Sequence, residues 1–120
     1  MTEFSARRRL LAAALSLPGL RPAALHAQRR PVMRLSVLQE GVLLVDDSLV
    51  TLPMLQQKLQ ALKQNQGILW LYRENPAADA TPAVRDALRM VRESGLPVSV
   101  SSRPDFADYI DNEGQSRPRR

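Results

Sequence analysis

The stretch from Gly67 to Ser102 limits the fold more than any other part of this chain. Ile68 to Tyr72 is an apolar run of strand length, and Val98 to Ser101 alternates apolar and small polar residues, as strands do. Between them, apolar residues at helical spacing predict one amphipathic helix: Val84, Ala87, Leu88 and Val91. A strand–helix–strand unit must lie in a larger sheet, so the rest of the chain has to supply further strands.

The residues before this unit predict two more strands and one more helix. Met33 to Val37 alternates apolar and polar residues, and Val42 to Val45 follows the turn at Gly41, which together indicate a β-hairpin. Thr51 is a suitable N-cap for a helix with a buried stripe of leucines at Leu52, Leu55, Leu59 and Leu62. The sequence therefore predicts a small two-layer α+β domain of order ββαβαβ. Two helices pack on one face of a mixed four-stranded sheet.

The first 27 residues have the layout of an export signal. A charged segment precedes the apolar run Leu10 to Leu17, and small residues lead to Ala27 as the last residue before cleavage. Ala6 to Leu11 is similar to a twin-arginine export motif, so the sequence leaves the twin-arginine and general secretory routes open. No run reaches the ~20 apolar residues of a transmembrane helix. We expect a signal over 1–27, a linker over 28–31, a folded domain over 32–104 and a polar tail over 105–120, in the periplasm.

Charge excludes one class of function. Six arginines and one glutamate lie in residues 1–31, so this segment carries the whole formal charge of +5. The residues from 32 onward are neutral in sum, whereas a nucleic-acid-binding domain usually presents a basic face. We therefore expect no nucleic-acid partner.

Residue types also argue against catalysis. The chain has no cysteine, and its single histidine, His26, lies in the predicted signal. Nucleophilic Ser–His and Cys–His systems are thereby removed, together with the common transition-metal sites. Asp46–Asp47 is interpreted as a solvated turn, and Glu74 with Asp79 as loop residues rather than a hydrolytic pair. We predict no catalytic residues, no cofactor and no metal.

In order and spacing the pattern resembles the periplasmic domain of the ExbD/TolR family of biopolymer-transport proteins. The resemblance covers about Arg34 to Ser102 and uses the segments RLSVLQEGVLLVDDSLV, LPMLQQKLQAL, ILWLYREN and AVRDALRMVRESGLPVSVSS. It implies a non-catalytic domain that dimerises or contacts an envelope protein or the cell wall beside a proton-driven motor. Leu10 to Leu20 contains no acidic residue, unlike the family's transmembrane helix, so the resemblance is limited to the folded domain.

Three groups of residues are candidates for partner binding. Val98 and Val100 belong to a strand that is predicted at one edge of the sheet, and Val42 to Val45 is predicted at another edge. Unpaired edges can accept an added strand from a second copy or from another protein. Arg85, Arg89 and Arg92 share one helix face, which is either an anion contact or a solvated surface. Phe106, Tyr109 and Ile110, in one or two turns of helix, either dock a partner or fold back on the domain.

The function predicted from the sequence is that of an exported, non-catalytic interaction module. An accessory fragment or small hydrolase-type enzyme of the envelope, with no recognisable catalytic set, is the alternative.

Overall fold

Residues 30–119 are described by a computed structural model, and they form an α+β fold. The predicted export signal lies outside the described residues. The strands are β1 (Val32–Val37), β2 (Leu43–Val45), β3 (Ser48–Val50), β4 (Ile68–Arg73), β5 (Val98–Ser101), β6 (Asp108–Ile110) and β7 (Ser116–Pro118), and the helices are α1 (Leu52–Gln64) and α2 (Pro82–Ser94).

The main sheet has five strands in the order β3-β2-β1-β4-β5, and it is mixed. β1, β4 and β5 pair in parallel, while β2 pairs antiparallel with β1 and β3 pairs antiparallel with β2. The predicted mixed sheet and the helix positions are therefore confirmed. The predicted number of four strands and the order ββαβαβ are wrong, since β3 adds a fifth strand and β6 and β7 follow β5.

The additional strand β3 follows from the turn at Asp46 and Asp47. Both residues have positive φ, 48° and 69°, as a two-residue hairpin turn with the twist of the flanking strands requires. Aspartate tolerates this conformation, and the Asp46 carboxylate accepts a hydrogen bond from Arg34 N–H at 3.1 Å. The predicted turn is confirmed, and it reverses the chain into the short strand β3.

Both helices pack on one face of the sheet and share its core. Thr51 and Thr81 cap α1 and α2 by accepting hydrogen bonds from Met54 N–H and Val84 N–H. Most of the apolar helix residues predicted to face the core are buried against the sheet: Leu55, Leu59, Leu62, Val84, Ala87 and Val91. Leu52 and Leu88, which were also predicted for these faces, are only partly buried. The central strands supply the other side of this core through Leu35, Val37 and Leu69.

The residues after β5 fold as a second, two-stranded sheet rather than as the predicted short helix. β6 and β7 pair antiparallel across a turn in which Asp111 accepts from the N–H groups of Glu113 and Gln115. Gly114, at φ 81°, completes that turn in a conformation suited to glycine. The β6–β7 unit, residues 106–119, is called the C-terminal hairpin below.

Among residues 30–119 no helix is long and apolar enough to cross a membrane.

Candidate protein interface

β5 is an edge strand of the main sheet, as the sequence predicted, and it exposes two apolar side chains. Val98 is 40% exposed and Val100 is 43% exposed. Their register with Leu69 and Leu71 places them on the helix-bearing side of the sheet, where they lie at its margin. An exposed apolar edge of this kind offers side-chain contacts as well as backbone groups to a partner strand.

The hydrogen-bond pattern fixes which backbone groups of β5 face outward. Leu69 N–H donates to Pro97 O at 3.0 Å, so Pro97 and every second residue after it direct their backbone groups towards β4. Ser99 and Ser101 therefore pair inward, and Val98 and Val100 direct their N–H and C=O groups away from the sheet. These outward groups are the ones that a partner strand would bind.

Asp108 of the C-terminal hairpin ends this edge. Ser102 N–H, the next outward donor after Val100, donates to Asp108 Oδ1 at 3.0 Å. Asp108 also accepts from the hydroxyl groups of Ser102 and Ser116. These hydrogen bonds lower the pKa of Asp108 to about 2. A strand added to β5 is thereby limited to the part of the edge before Ser102.

The other edge of the sheet is β3, and this corrects the prediction that Val42 to Val45 is an edge. β2 lies between β1 and β3, so its backbone is paired on both sides. On β3, Leu49 is 70% exposed. The hairpin register makes Leu44 and Leu49 a non-hydrogen-bonded pair, so Leu49 N–H faces outward.

The C-terminal hairpin covers part of the sheet face opposite the helices. Trp70 and Tyr72 share that face with Ser99 and Ser101, because they are cross-strand neighbours. The Arg119 guanidinium lies 3.9 Å from the centre of the Trp70 ring. It donates to the hydroxyl groups of Ser99 at 3.0 Å and Ser101 at 2.7 Å. The hydroxyl groups of these two serines are therefore engaged by the C-terminal hairpin.

The predicted aromatic docking residues belong to this contact. Phe106 is buried and packs edge-on against Tyr72, with ring centres 6.4 Å apart. Of the two alternatives for Phe106, docking a partner or folding back on the domain, the structure shows the second. Tyr109 and Ile110 are half-buried on β6, and the Arg119 guanidinium lies 5.7 Å from the Tyr109 ring centre.

Arg85, Arg89 and Arg92 are exposed on α2. Arg85 donates to Ala80 O at 2.7 Å, and Arg89 forms an ion pair with Asp86 one turn away. Local partners thus engage two of the three cations, as on an ordinary solvated helix face.

A groove of about 670 Å³ lies between α1 and α2 on their solvent side. Leu52, Leu59 and Met90 line it together with glutamines and charged residues. The charged residues are Lys63, Asp86, Arg89 and Glu93, two of each sign. Their balance favours no particular class of ligand.

Glu74 and Asp79, which the sequence analysis weighed as a hydrolytic pair, lie at the loop after β4. The Glu74 carboxylate accepts from Gln39 N–H at 2.9 Å, which fastens the loop after β4 to the loop after β1. The cavity that Glu74 shares with Asp79 is only about 10 Å³, too small for a substrate. In the described part of the chain, no group of three or more acidic or histidine side chains is placed to hold a metal ion.

Comparison with models of known protein families and with curated proteins found no match to this chain.

Proposed function

We propose that this protein is an exported, non-catalytic interaction module that binds through strand addition at the outer edge of β5. The partner is a second copy of the chain or another envelope protein, as for a periplasmic domain of the ExbD/TolR type. The single observation that carries the proposal is the outward pair Val98 and Val100, whose exposed side chains accompany unpaired backbone groups on a sheet edge. Export to the periplasm after removal of residues 1–27 is part of the same proposal.

Two physical arguments support this choice of surface. A patterned domain of this size buries only roughly 60% of its unfolded surface, so an added strand contributes substantially to its stability. Natural proteins also protect exposed sheet edges, commonly with charges, proline or bulges. Val98 to Ser101 carries none of these devices, while Asp108 blocks the edge only from Ser102 onward.

Analytical ultracentrifugation of Val100→Pro tests the proposal. Proline at 100 removes an outward N–H and leaves the pairing of Ser99 and Ser101 with β4 in place. We expect the wild-type chain to associate as its concentration rises and Val100→Pro to remain monomeric.

The matched control is Leu49→Pro, which removes an outward N–H from the opposite edge. It should associate like the wild type. A wild-type chain that is folded and monomeric at every concentration, and that retains no envelope protein through β5, contradicts the proposal. Loss of association in Leu49→Pro alone would assign the interface to β3 instead.

A further inference from the structure

Among the described residues, the C-terminal hairpin contacts only part of the sheet face on which it lies. Its polar and aromatic contacts with the sheet are to β4 and β5, at Trp70, Tyr72, Ser99 and Ser101. On the remaining strands, four side chains point to the same side and form a surface that we call the open shelf: Arg34, Ser36, Leu44 and Leu49. Trp70 lies at its border as the cross-strand neighbour of Arg34.

The cation of the open shelf has an aromatic neighbour and no carboxylate partner. The Arg34 guanidinium lies 5.5 Å from the centre of the Trp70 ring, and within residues 30–119 it forms no ion pair. Asp46, the nearest acidic residue in the register, accepts from the Arg34 backbone N–H rather than from its side chain. The Arg119 guanidinium also lies over the Trp70 indole ring, and its positive charge adds to that of Arg34. This pair of guanidiniums favours an anionic group at the border.

Ser36 provides a second, independent sign of a ligand. It is only 7% exposed, between its cross-strand neighbours Leu44 and Tyr72. Its hydroxyl group has no hydrogen-bond partner among the described side chains or backbone groups. Buried hydroxyl groups usually have a partner, because burial without one costs free energy. Ser36 and Arg34 lie two residues apart on one strand face, so one acceptor group can approach both.

The outer part of the open shelf is apolar. Leu49 is 70% exposed, and the half-buried Leu44 separates it from Ser36. Leu44 is directly opposite Ser36 and therefore diagonal to Arg34. Diagonal neighbours in an antiparallel pair lie about 7–8 Å apart, which is close to the spacing of alternate side chains on an extended peptide. A carboxylate near Arg34 and an aliphatic group on Leu44 and Leu49 therefore fit one extended segment.

We propose that the open shelf binds an extended peptide segment of a partner protein that carries a carboxylate beside aliphatic side chains. The carboxylate accepts from Arg34 and Ser36, and the aliphatic side chains cover Leu44 and Leu49. This surface is separate from the β5 edge, so the inference does not depend on strand addition.

Titration of the full chain with a synthetic peptide tests the inference. The probe is a blocked peptide in which glutamate and valine are two residues apart with a serine between them, so that both side chains lie on the same face of the extended chain, and its control has glutamine in place of the glutamate. Calorimetry measures the affinity, and fluorescence reports the location, because Trp70 is the only tryptophan in the chain. We expect saturable binding of the glutamate peptide with a change in Trp70 fluorescence. Arg34→Gln should weaken binding by about tenfold, through loss of a charge-assisted hydrogen bond.

Matched variants make the result decisive. Arg92→Gln removes an exposed cation from α2, and it should bind like the wild type. Ser36→Ala removes only a hydroxyl group, and it should weaken binding several-fold even if Arg34→Gln fails to fold. Equal affinity for the glutamine peptide, equal loss in Arg92→Gln, or the same fluorescence change with sodium sulfate alone would each overturn the proposal.

Discussion

Arg119 and Asp108 hold the C-terminal hairpin on the sheet. The Arg119 side chain donates to Phe106 O, Asp108 O and two serine hydroxyl groups while it stacks on Trp70. Each of these acceptors lies on the hairpin or on the face beneath it. One guanidinium therefore joins β4 and β5 to the C-terminal hairpin, since its planar donors suit several acceptors at once.

Asp108 gives this contact a defined dependence on pH. Its pKa in the folded chain is about 2, below the ordinary value of 3.8, because it accepts hydrogen bonds from Ser102 and Ser116. A depressed carboxylate pKa contributes stability above the unfolded pKa, and that contribution is lost as pH falls through the folded one. We therefore expect the hairpin to loosen between about pH 4 and pH 2.

Trp70 fluorescence during an acid titration measures this loosening. Asp108→Asn should bind the hairpin less firmly at neutral pH and should lose most of the transition between pH 4 and pH 2. A wild-type transition centred above pH 5, or an unchanged transition in Asp108→Asn, would contradict the role assigned to Asp108.

At the scale of elements, α1 derives its stability from a leucine stripe and not from its polar surface. Leu59 is 2% exposed in the shared core, whereas Gln57 is exposed on the same helix. Leu59→Ala should lower the free energy of unfolding by about 2–5 kcal/mol through lost burial and a residual cavity. Leu88→Ala on α2 should cost about 1–2 kcal/mol, because Leu88 is only partly buried.

Urea denaturation measures these differences. Gln57→Ala is the control and should stay within about 0.5 kcal/mol of the wild type. Equal stability of Leu59→Ala and Gln57→Ala would show that the leucine stripe does not face the core.

The same elements explain what could be predicted from the sequence. α1 and α2 combine a helical period with a threonine cap and a following proline, so their positions could be predicted closely. The segment from Asp108 to Ile110 was predicted as helix but forms a strand, because the spacing of Phe106, Tyr109 and Ile110 matches a helical period. The turn residues from Asp111 to Gly114, next to aromatic and β-branched residues, were a signal for a hairpin.

The contacts between distant segments could not be predicted in this way. Nothing in the local pattern pairs Arg119 with Trp70, which lies 49 positions earlier in the sequence. The exposed edge at Val98 and Val100 was predictable because a final strand after a crossover helix often lies at the margin of a sheet. The open shelf depends on which half of the sheet the hairpin covers, and that is a property of tertiary packing.

For the whole molecule, the proposed export would determine where a partner is met. Intact-mass measurement of the protein from its native host should give a chain that lacks about the first 27 residues. If the twin-arginine route is used, Arg7→Lys combined with Arg8→Lys should abolish export, whereas a general secretory signal would tolerate the change. A full-length species in the cytoplasm would contradict export.

The central claim, that the outer edge of β5 is the interface, is tested most directly by backbone hydrogen exchange at single residues. We predict that Val100 N–H exchanges rapidly in dilute protein and becomes protected when the chain associates or binds its envelope partner. Ser99 and Ser101 N–H, which pair with β4, should be protected in both conditions. Association that leaves the exchange of Val100 unchanged would contradict the account.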